Sequence, residues 1–239
     1  MSHHQEGFPE LFPREPAVIA PGAVHVPDWL APERQGELLA ACREWARPPA
    51  GLRTVRTPGG GVMTARQVCL GLHWYPYGYA RTAVDGDGAP VKPMPRWLAE
   101  LGREAVTTAY GEPPEAGADY DIALINFYTG DSRMGMHRDA DEKSGAPVVS
   151  LSLGDTCVFR FGNTASRGRP YRDVELHSGD LFVFGKSSRL AHHGVPKVLP
   201  GTGPPGLGLT GRLNITLRVG GLGPPGGVRH PPIMRGSVP

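Results

Sequence analysis

Three residues far apart in the chain have the types and the spacing of a metal site. His137 and Asp139 lie two positions apart, so on an extended strand their imidazole and carboxylate would share one face. Chance supplies about one such pair in a chain of this composition, so the pair alone is equally typical of a surface salt bridge or a turn. His193, which follows several predicted strands, adds a third ligand. Two His and one carboxylate leave coordination positions open, which suits a non-haem Fe(II) that binds a chelating cosubstrate and O2.

The third ligand is one of two neighbouring histidines. If this segment is extended, His192 and His193 point to opposite faces, so only one of them should bind the metal. The sequence alone barely separates the two. The remaining histidines have no matched partner, and we expect them to be structural or surface residues.

A second pattern with chemical meaning is the alternation in the segment 212–218. Arg212, Asn214 and Arg218 share one face, while Leu and Ile residues occupy the other. A solvated strand would also alternate in this way, but this spacing of two Arg and one Asn is expected by chance only about 0.02 times. Two Arg at opposite ends of one face can hold both ends of a dicarboxylate. Asn126 and Tyr128, which also alternate, would add neutral hydrogen-bond donors.

The elements that must position these residues are mainly strands. Helix signals are confined to residues 31–47 and 95–110, where apolar residues recur with helical spacing behind a proline. Residues 63–79 are rich in aromatic and apolar residues with Gly and Pro breaks, which predicts strands and a turn. Beyond residue 119 the period changes to two, and this pattern predicts a β-sandwich or barrel with the helices packed outside it. The expected strands here are 122–128, 148–153, 157–161, 181–184 and 212–219.

Gly and Pro make up 34 and 26 of the 239 residues, a proportion at which disorder has to be considered. A hydrophobic fraction of 39% and a net charge of +2 instead favour a globular chain with local flexible segments. Gly and Pro concentrate in residues 200–211 and in the last 20 residues, which predicts a flexible loop and a disordered tail. The expected organisation is therefore an N-terminal region with the helices (1–118), a β core (119–220) and a tail (221–239).

Other features of the composition exclude several classes of protein. No apolar stretch is long enough to span a bilayer and the first residues lack a signal peptide, so we expect a soluble, cytoplasmic protein without a membrane partner. Three cysteines without a CxxC pair argue against a disulfide framework or a zinc ribbon, and we expect them to be buried. The excess of Arg over Lys is explained by composition bias and does not by itself indicate nucleic-acid binding.

Taken in order, these motifs resemble the signature of the AlkB-type Fe(II)/2-oxoglutarate dioxygenases. The resemblance covers about residues 119–220. It implies an α+β, mainly β fold whose core is a double-stranded β-helix (jelly roll), with flanking helices and an N-terminal nucleotide-recognition lid. It also implies three cofactors or cosubstrates, namely Fe(II), 2-oxoglutarate and O2. The motifs that carry it are Asn126-Phe-Tyr128, His137-Arg-Asp139-Ala-Asp141, His193 and the strand Arg212–Arg218.

The same resemblance implies roles for individual residues. His137, Asp139 and His193 would hold the iron. Arg212, with Tyr128 and Asn214, would bind the distal carboxylate of 2-oxoglutarate. Arg218, with Asn126, would bind the carboxylate near the iron.

Upstream of residue 119 the resemblance is weaker, and its lid residues have competing interpretations. Trp74 and Tyr79 are the candidates for stacking on an extruded base, with Tyr77 as a competitor. The alternative is an aromatic cluster packed inside the lid. Asp141 matches a position that contacts the exocyclic amine of the base, and its alternative is a solvated turn residue. The arginines that could contact a phosphate backbone are Arg133 and Arg138 beside the iron motif and Arg53, Arg56 and Arg66 near the lid. The turn Arg167-Gly-Arg169 holds a possible counterpart of a base-pocket arginine of the family.

The function implied by the resemblance is oxidative dealkylation of N-alkylated nucleobases. Lesions such as N1-methyladenine or N3-methylcytosine in DNA would be removed as aldehyde while 2-oxoglutarate and O2 are converted to succinate and CO2. A lesion on the pairing edge also makes the base easier to extrude. The alternatives are the same chemistry on RNA, a protein or a small molecule, and a jelly-roll binding module without turnover. We expect a monomer whose partner is alkylated nucleic acid, with DNA preferred.

Overall fold

The computed structural model describes residues 13–57 and 59–221 of the chain. Two α-helices and fourteen strands account for the regular structure of these residues, together with 3-10 turns at Lys186–Ser188 and Pro205–Leu207. The tail expected from residue 221 onward lies, except for Gly221, outside the described residues. The helices are α1 (Pro32–Trp45) and α2 (Arg96–Tyr110), and the strands are β1 (Ala17–Ala20), β2 (Ala23–Val26), β3 (Arg53–Arg56), β4 (Val62–Leu70), β5 (His73–Tyr75), β6 (Gly78–Ala80), β7 (Ile122–Tyr128), β8 (Met134–His137), β9 (Val148–Gly154), β10 (Thr156–Phe161), β11 (Arg172–Leu176), β12 (Leu181–Phe184), β13 (His193–Leu199) and β14 (Arg212–Arg218).

Two antiparallel sheets face each other and form the jelly roll that the resemblance implies. The larger sheet has eight strands in the order β1-β2-β12-β9-β14-β7-β4-β3, and the smaller has four in the order β11-β10-β13-β8. Aromatic and apolar side chains of both sheets fill the space between them, among them Phe182 and Phe184 of the larger sheet and Phe159 and Phe161 of the smaller. A separate hairpin of β5 and β6 forms the expected lid strands.

Both helices cover the outer face of the larger sheet, as the sequence predicts. Alternate residues of β14, namely Leu213, Ile215 and Leu217, lie in one apolar cluster with buried residues of α1 and α2. Helix α1 has proline at its start, and α2 ends at Gly111, whose left-handed φ of 73° lets the chain turn away. Because β14 gives its apolar face to the helices, its polar face points into the space between the sheets.

The larger sheet contains strands from both sides of the domain boundary expected at residue 118. Strands β1–β4 precede that boundary, yet β2 pairs with β12 and β4 pairs with β7. Backbone hydrogen bonds of the larger sheet therefore join the N-terminal region and the core into one unit. Periodicity after residue 119 could not predict this, because the partner strands lie far away in the sequence.

The loop at residues 200–211, which we expected to be flexible, makes specific contacts. Leu207 and Leu209 pack against the apolar cluster beneath the helices, and Arg43 of α1 donates a hydrogen bond to the carbonyl of Gly208. All three cysteines are free and buried, as expected. Neither helix of the described part of the chain is long and apolar enough to cross a membrane.

Candidate metal centre and cosubstrate pocket

The three candidate metal ligands meet between the two sheets. His137 ends β8, His193 begins β13, and the two residues are paired across these neighbouring strands. Asp139 follows β8 by two residues, and its carboxylate oxygens lie 3.7 Å from the Nε2 atoms of both histidines. One ligand atom can be taken from each residue such that all three atoms lie within 4.8 Å of one another. The residue types and spacing match a 2-His-1-carboxylate metal site.

Backbone carbonyls hold both imidazoles in the tautomer that a metal needs. Nδ1 of His137 lies 2.9 Å from the carbonyl of Gly135, and Nδ1 of His193 lies 3.0 Å from the carbonyl of Ala191. A carbonyl can only accept, so each Nδ1 carries the proton and each Nε2 presents its lone pair to the centre.

The electrostatics of the centre favour the ligand-competent protonation states. Burial, reinforced by His137, lowers the pKa of His193 to about 4, so this imidazole is neutral at neutral pH. Burial alone would raise the pKa of Asp139, but the guanidinium of Arg218 and the two histidines outweigh it and hold that pKa well below its usual range. A neutral imidazole and an ionised carboxylate are the forms that bind a divalent metal.

The choice between His192 and His193 is made by the backbone at the start of β13. Nδ1 of His192 lies 3.0 Å from the carbonyl of Asn163, in the loop after β10, and the residue is absent from the metal cluster found among the described residues.

The polar face of β14 forms one wall of a pocket that also contains the metal centre. Arg212, Asn214, Thr216 and Arg218 all line it. None of them is exposed, so the alternation does not belong to a solvated strand. The remaining lining residues come from β7, β8, β9, β10, β12 and β13 and from the turn after β8, and they include Asn126, Tyr128, His137, Asp139, Ser150, Phe159 and His193.

The two arginines of β14 lie at opposite ends of this wall and are incompletely satisfied. Arg212 is 1% exposed and donates from Nη2 to the hydroxyl of Ser152 at 2.9 Å. Nη2 of Arg218 lies 2.7 Å from Oδ1 of Asp139. Within the described part of the chain, the Nε atoms of these two arginines are the buried side-chain nitrogens or oxygens without a hydrogen-bond partner. Since a buried unpaired donor is costly, these atoms indicate that the pocket accommodates an anionic ligand.

Comparison with known proteins identifies the family. The sequence model described as the 2OG-Fe(II) oxygenase superfamily matches residues 22–218. The chain belongs to this superfamily. An AlkB homolog of Caulobacter vibrioides, named an alpha-ketoglutarate-dependent dioxygenase, is 36% identical over 85% of this chain and 90% of its own length. The AlkB dioxygenase of Escherichia coli is 35% identical over 71% of this chain and 77% of its own length. This 2OG-Fe(II) oxygenase is therefore of the AlkB type, and its cofactors are Fe(II), 2-oxoglutarate and O2.

Plant relatives of this 2OG-Fe(II) oxygenase are similar over the same region. An Arabidopsis thaliana protein named DNA N(6)-methyladenine demethylase ALKBH1D is 34% identical over 84% of this chain. The chain spans about half the length of that relative, 50% of it. The solved structure titled "The structure of OsALKBH1" superposes with a TM-score of 0.75 at 32% identity, covering 84% of this chain and all of that one. This likeness confirms the jelly-roll fold.

In this oxygenase, the lid residue Trp74 and the turn residue Asp141 lie side by side. Nε1 of Trp74 donates to Oδ2 of Asp141 at 2.8 Å, and both side chains are partly exposed. Tyr79, expected to stack on a base beside Trp74, is only 6% exposed and packs with Leu124 in a small apolar cluster. For Tyr79 the structure favours the alternative interpretation, a packed aromatic cluster. Tyr77 at the hairpin turn is 82% exposed.

Sequence reasoning missed Glu142, which organises the charges behind the metal centre. Its fully buried carboxylate accepts hydrogen bonds from Arg218 at 2.7 Å, from Arg189 at 3.0 Å and from the hydroxyl of Tyr79. Arg189 in turn donates to the backbone carbonyl of Asp139 at 2.7 Å. The position of Glu142 directly after the iron motif is the one signal that the sequence offers.

The arginines considered for phosphate contacts separate into two groups. Arg53 is withdrawn from the surface, because its guanidinium bonds Asp85 at 2.6 Å and the carbonyl of Trp74. The others are exposed, namely Arg56, Arg66, Arg133 and Arg138. Arg167 and Arg169, considered for the base pocket, are also exposed.

Proposed function

We propose that this chain oxidatively removes N-alkyl groups from nucleobases, with DNA as its substrate. Family membership supplies the reaction class, and the observation that carries the assignment to this chain is the pocket itself. It joins three metal-ligand side chains to two arginines with unpaired buried donors. Fe(II) with bound 2-oxoglutarate and O2 would supply the oxidising chemistry at an alkyl carbon.

The resemblance to AlkB-type enzymes, together with the pocket lining, supports the following roles for the chain's own residues. His137, Asp139 and His193 would hold the metal through two neutral imidazoles and one carboxylate. Arg212 and Arg218 are the first and last residues of β14. Each would bind one carboxylate of the dicarboxylic cosubstrate. Tyr128 and Asn214 would assist Arg212, and Asn126 would assist Arg218.

Trp74 and Asp141 are the residues that we assign to the base. The indole of Trp74 is partly exposed and hydrogen-bonds Asp141, two residues after the metal ligand Asp139. Oδ1 of Asp141 remains available to an exocyclic amine while Oδ2 accepts from the indole. A base extruded into such a site is read by stacking and by hydrogen bonds to its pairing edge. The burial of Tyr79 supports Trp74 as the stacking residue, with the exposed Tyr77 as its competitor.

Two sets of relatives support different polynucleotides. The Arabidopsis relatives are named DNA demethylases, whereas a Pyricularia oryzae protein named an N6-methyladenosine RNA demethylase is 43% identical over 36% of this chain. RNA is therefore the second candidate substrate. We also propose that the protein acts as a monomer, because one chain by itself supplies the three metal ligands and both pocket arginines.

A panel of methylated oligonucleotides tests this proposal. Single-stranded DNA and RNA carrying N1-methyladenine, N3-methylcytosine or N6-methyladenine would be incubated with Fe(II) and 2-oxoglutarate, and formaldehyde and succinate measured. We expect release from DNA in the wild type and in Asp119→Ala, an 87% exposed carboxylate outside the pocket, but none in Asp139→Ala. Formaldehyde release from RNA alone would show that RNA, and not DNA, is the substrate. Turnover by Asp139→Ala would refute the metal assignment.

A further inference from the structure

The side-chain amide of Asn126 is held from behind by a second amide. Gln67 of β4 is paired with Asn126 of β7 across the sheet and is 2% exposed. Nε2 of Gln67 donates to Oδ1 of Asn126 at 3.0 Å. On its other side, Asn126 lies in register with Asn214 of β14, so it occupies the centre of the pocket wall.

This contact decides which end of the Asn126 amide faces the pocket. An asparagine amide has one accepting oxygen and one donating nitrogen on opposite sides of the same carbon. Because Oδ1 is turned toward Gln67, Nδ2 is turned away from it, and Nδ2 has no protein partner among the described residues. The pocket therefore receives a hydrogen-bond donor, which suits a carboxylate, rather than an oxygen that would repel one.

The orientation of Gln67 is itself fixed by a chain of donors. Cys69, two residues along β4, donates its thiol hydrogen to Oε1 of Gln67 at 3.5 Å. The sulfur of Cys69 in turn accepts from Nη1 of Arg53 at 3.6 Å. Arg53 is bound by the carboxylate of Asp85. From Arg53 onward, through Cys69 and Gln67 to Asn126, each hydrogen bond thus donates in the direction of the pocket.

We infer that Gln67 is a positioning residue, which fixes the polarity of the Asn126 amide so that its Nδ2 can donate to a carboxylate of 2-oxoglutarate. The inference rests on the proposed function, because it concerns the same cosubstrate site. Cys69 and Arg53 act one step further back by holding Gln67 in the required orientation.

The test is the affinity for 2-oxoglutarate, measured by calorimetry with Mn(II) in place of Fe(II) so that no turnover occurs. Gln67→Leu removes the donor with little change of volume, and we expect the Kd to rise by about 3- to 10-fold, the value of one preorganised hydrogen bond. In the Asn126→Ala background the same substitution should leave the Kd unchanged, because Gln67 acts through that amide. Gln67→Met provides a second apolar variant if the first does not fold.

A matched control separates positioning from a general loss of stability. Gln35 is also buried, at 7% exposure, and bonds Leu30 and Ser178 away from the pocket. We expect Gln35→Leu to lower the melting temperature without changing the Kd. A folded Gln67 variant with the wild-type Kd, or an equal rise in Kd with and without Asn126, would overturn the inference. A wild-type protein that does not bind 2-oxoglutarate at all would overturn the proposed function instead.

Discussion

Replacing Glu142 with glutamine should destabilise the metal-free protein, because its carboxylate is the shared acceptor of two buried cations. One oxygen accepts from Arg218 at 2.7 Å and from the hydroxyl of Tyr79, and the other accepts from Arg189 at 3.0 Å. In Glu142→Gln, the new amide nitrogen must face one of these guanidinium groups. One charge-assisted hydrogen bond is then replaced by a contact between two donors.

The size of the effect follows from these contacts. Losing a hydrogen bond to a charged group costs about 1.5–3 kcal/mol, and leaving a buried charge uncompensated costs about 3–5 kcal/mol. Arg189 keeps its bonds to the carbonyls of Asp139 and Ala146, so the second cost is only partly incurred. We therefore expect a loss of about 2–4 kcal/mol, which for a chain of this size lowers the melting temperature by about 5–15 °C.

The assay is thermal and urea unfolding of protein treated with a chelator, followed by circular dichroism. Glu104→Gln is the matched control, since Glu104 is 51% exposed and its ion pair among the described residues is with Arg34. Its loss should therefore change stability by about 0.5 kcal/mol or less. Tyr79→Phe removes one neutral donor from the same carboxylate and should cost about 1 kcal/mol. If Glu142→Gln melts together with Glu104→Gln, the buried charge network does not contribute to stability as reasoned.

Three further predictions concern acid stability, ligand binding and backbone conformation. Burial would raise the pKa of Asp180, but hydrogen bonds from His25 and other donors hold it below its usual value. Its contribution to stability is thus present above about pH 4 and lost as the pH falls. In urea titrations, the unfolding free energy of Asp180→Asn should therefore depend less on pH in the acid range than that of the wild type. Equal pH dependence in the two proteins would contradict this. Arg212→Met should weaken 2-oxoglutarate binding by about 10-fold or more in calorimetry while metal binding persists; an unchanged Kd would remove Arg212 from the site. Gly71 has a φ of +76°, and in Gly71→Ala the new Cβ would lie 1.8 Å from the carbonyl oxygen of Asp121. We expect this variant to lose about 3 kcal/mol or more of unfolding free energy in urea. Gly88→Ala, at a φ of +73° with no atom near the new Cβ, should lose far less.

The sequence predicted those parts of the site that lie on regular, strongly patterned elements. Strand β14 was predictable because its polar and apolar residues alternate without interruption and because its Arg and Asn spacing is rare by chance. Both helices were predictable from their apolar spacing and from the proline near the start of each. Prediction of the metal triad required only that His193 lie beside the strand that carries His137. Neighbouring strands of a jelly roll bring the two residues together.

The remaining features depend on contacts between residues distant in the sequence. Glu142 is important because the fold brings Arg189 and Tyr79 to its carboxylate, and no local pattern predicts that meeting. Gln67 acquires its role from its cross-strand register with Asn126. Strands β1 and β2 have four residues each, too few for a clear period, and β2 finds its partner β12 more than 150 positions later.

The position of β14 also determines when the protein becomes complete. It is the last strand along the described chain, yet it is inserted between β9 and β7 in the middle of the larger sheet. A chain interrupted before residue 212 would leave the hydrogen-bonding edges of both neighbours open, and exposed edges of this kind promote aggregation. The same truncation removes both pocket arginines. Closure of the larger sheet and acquisition of the two cosubstrate-binding arginines thus depend on the same strand.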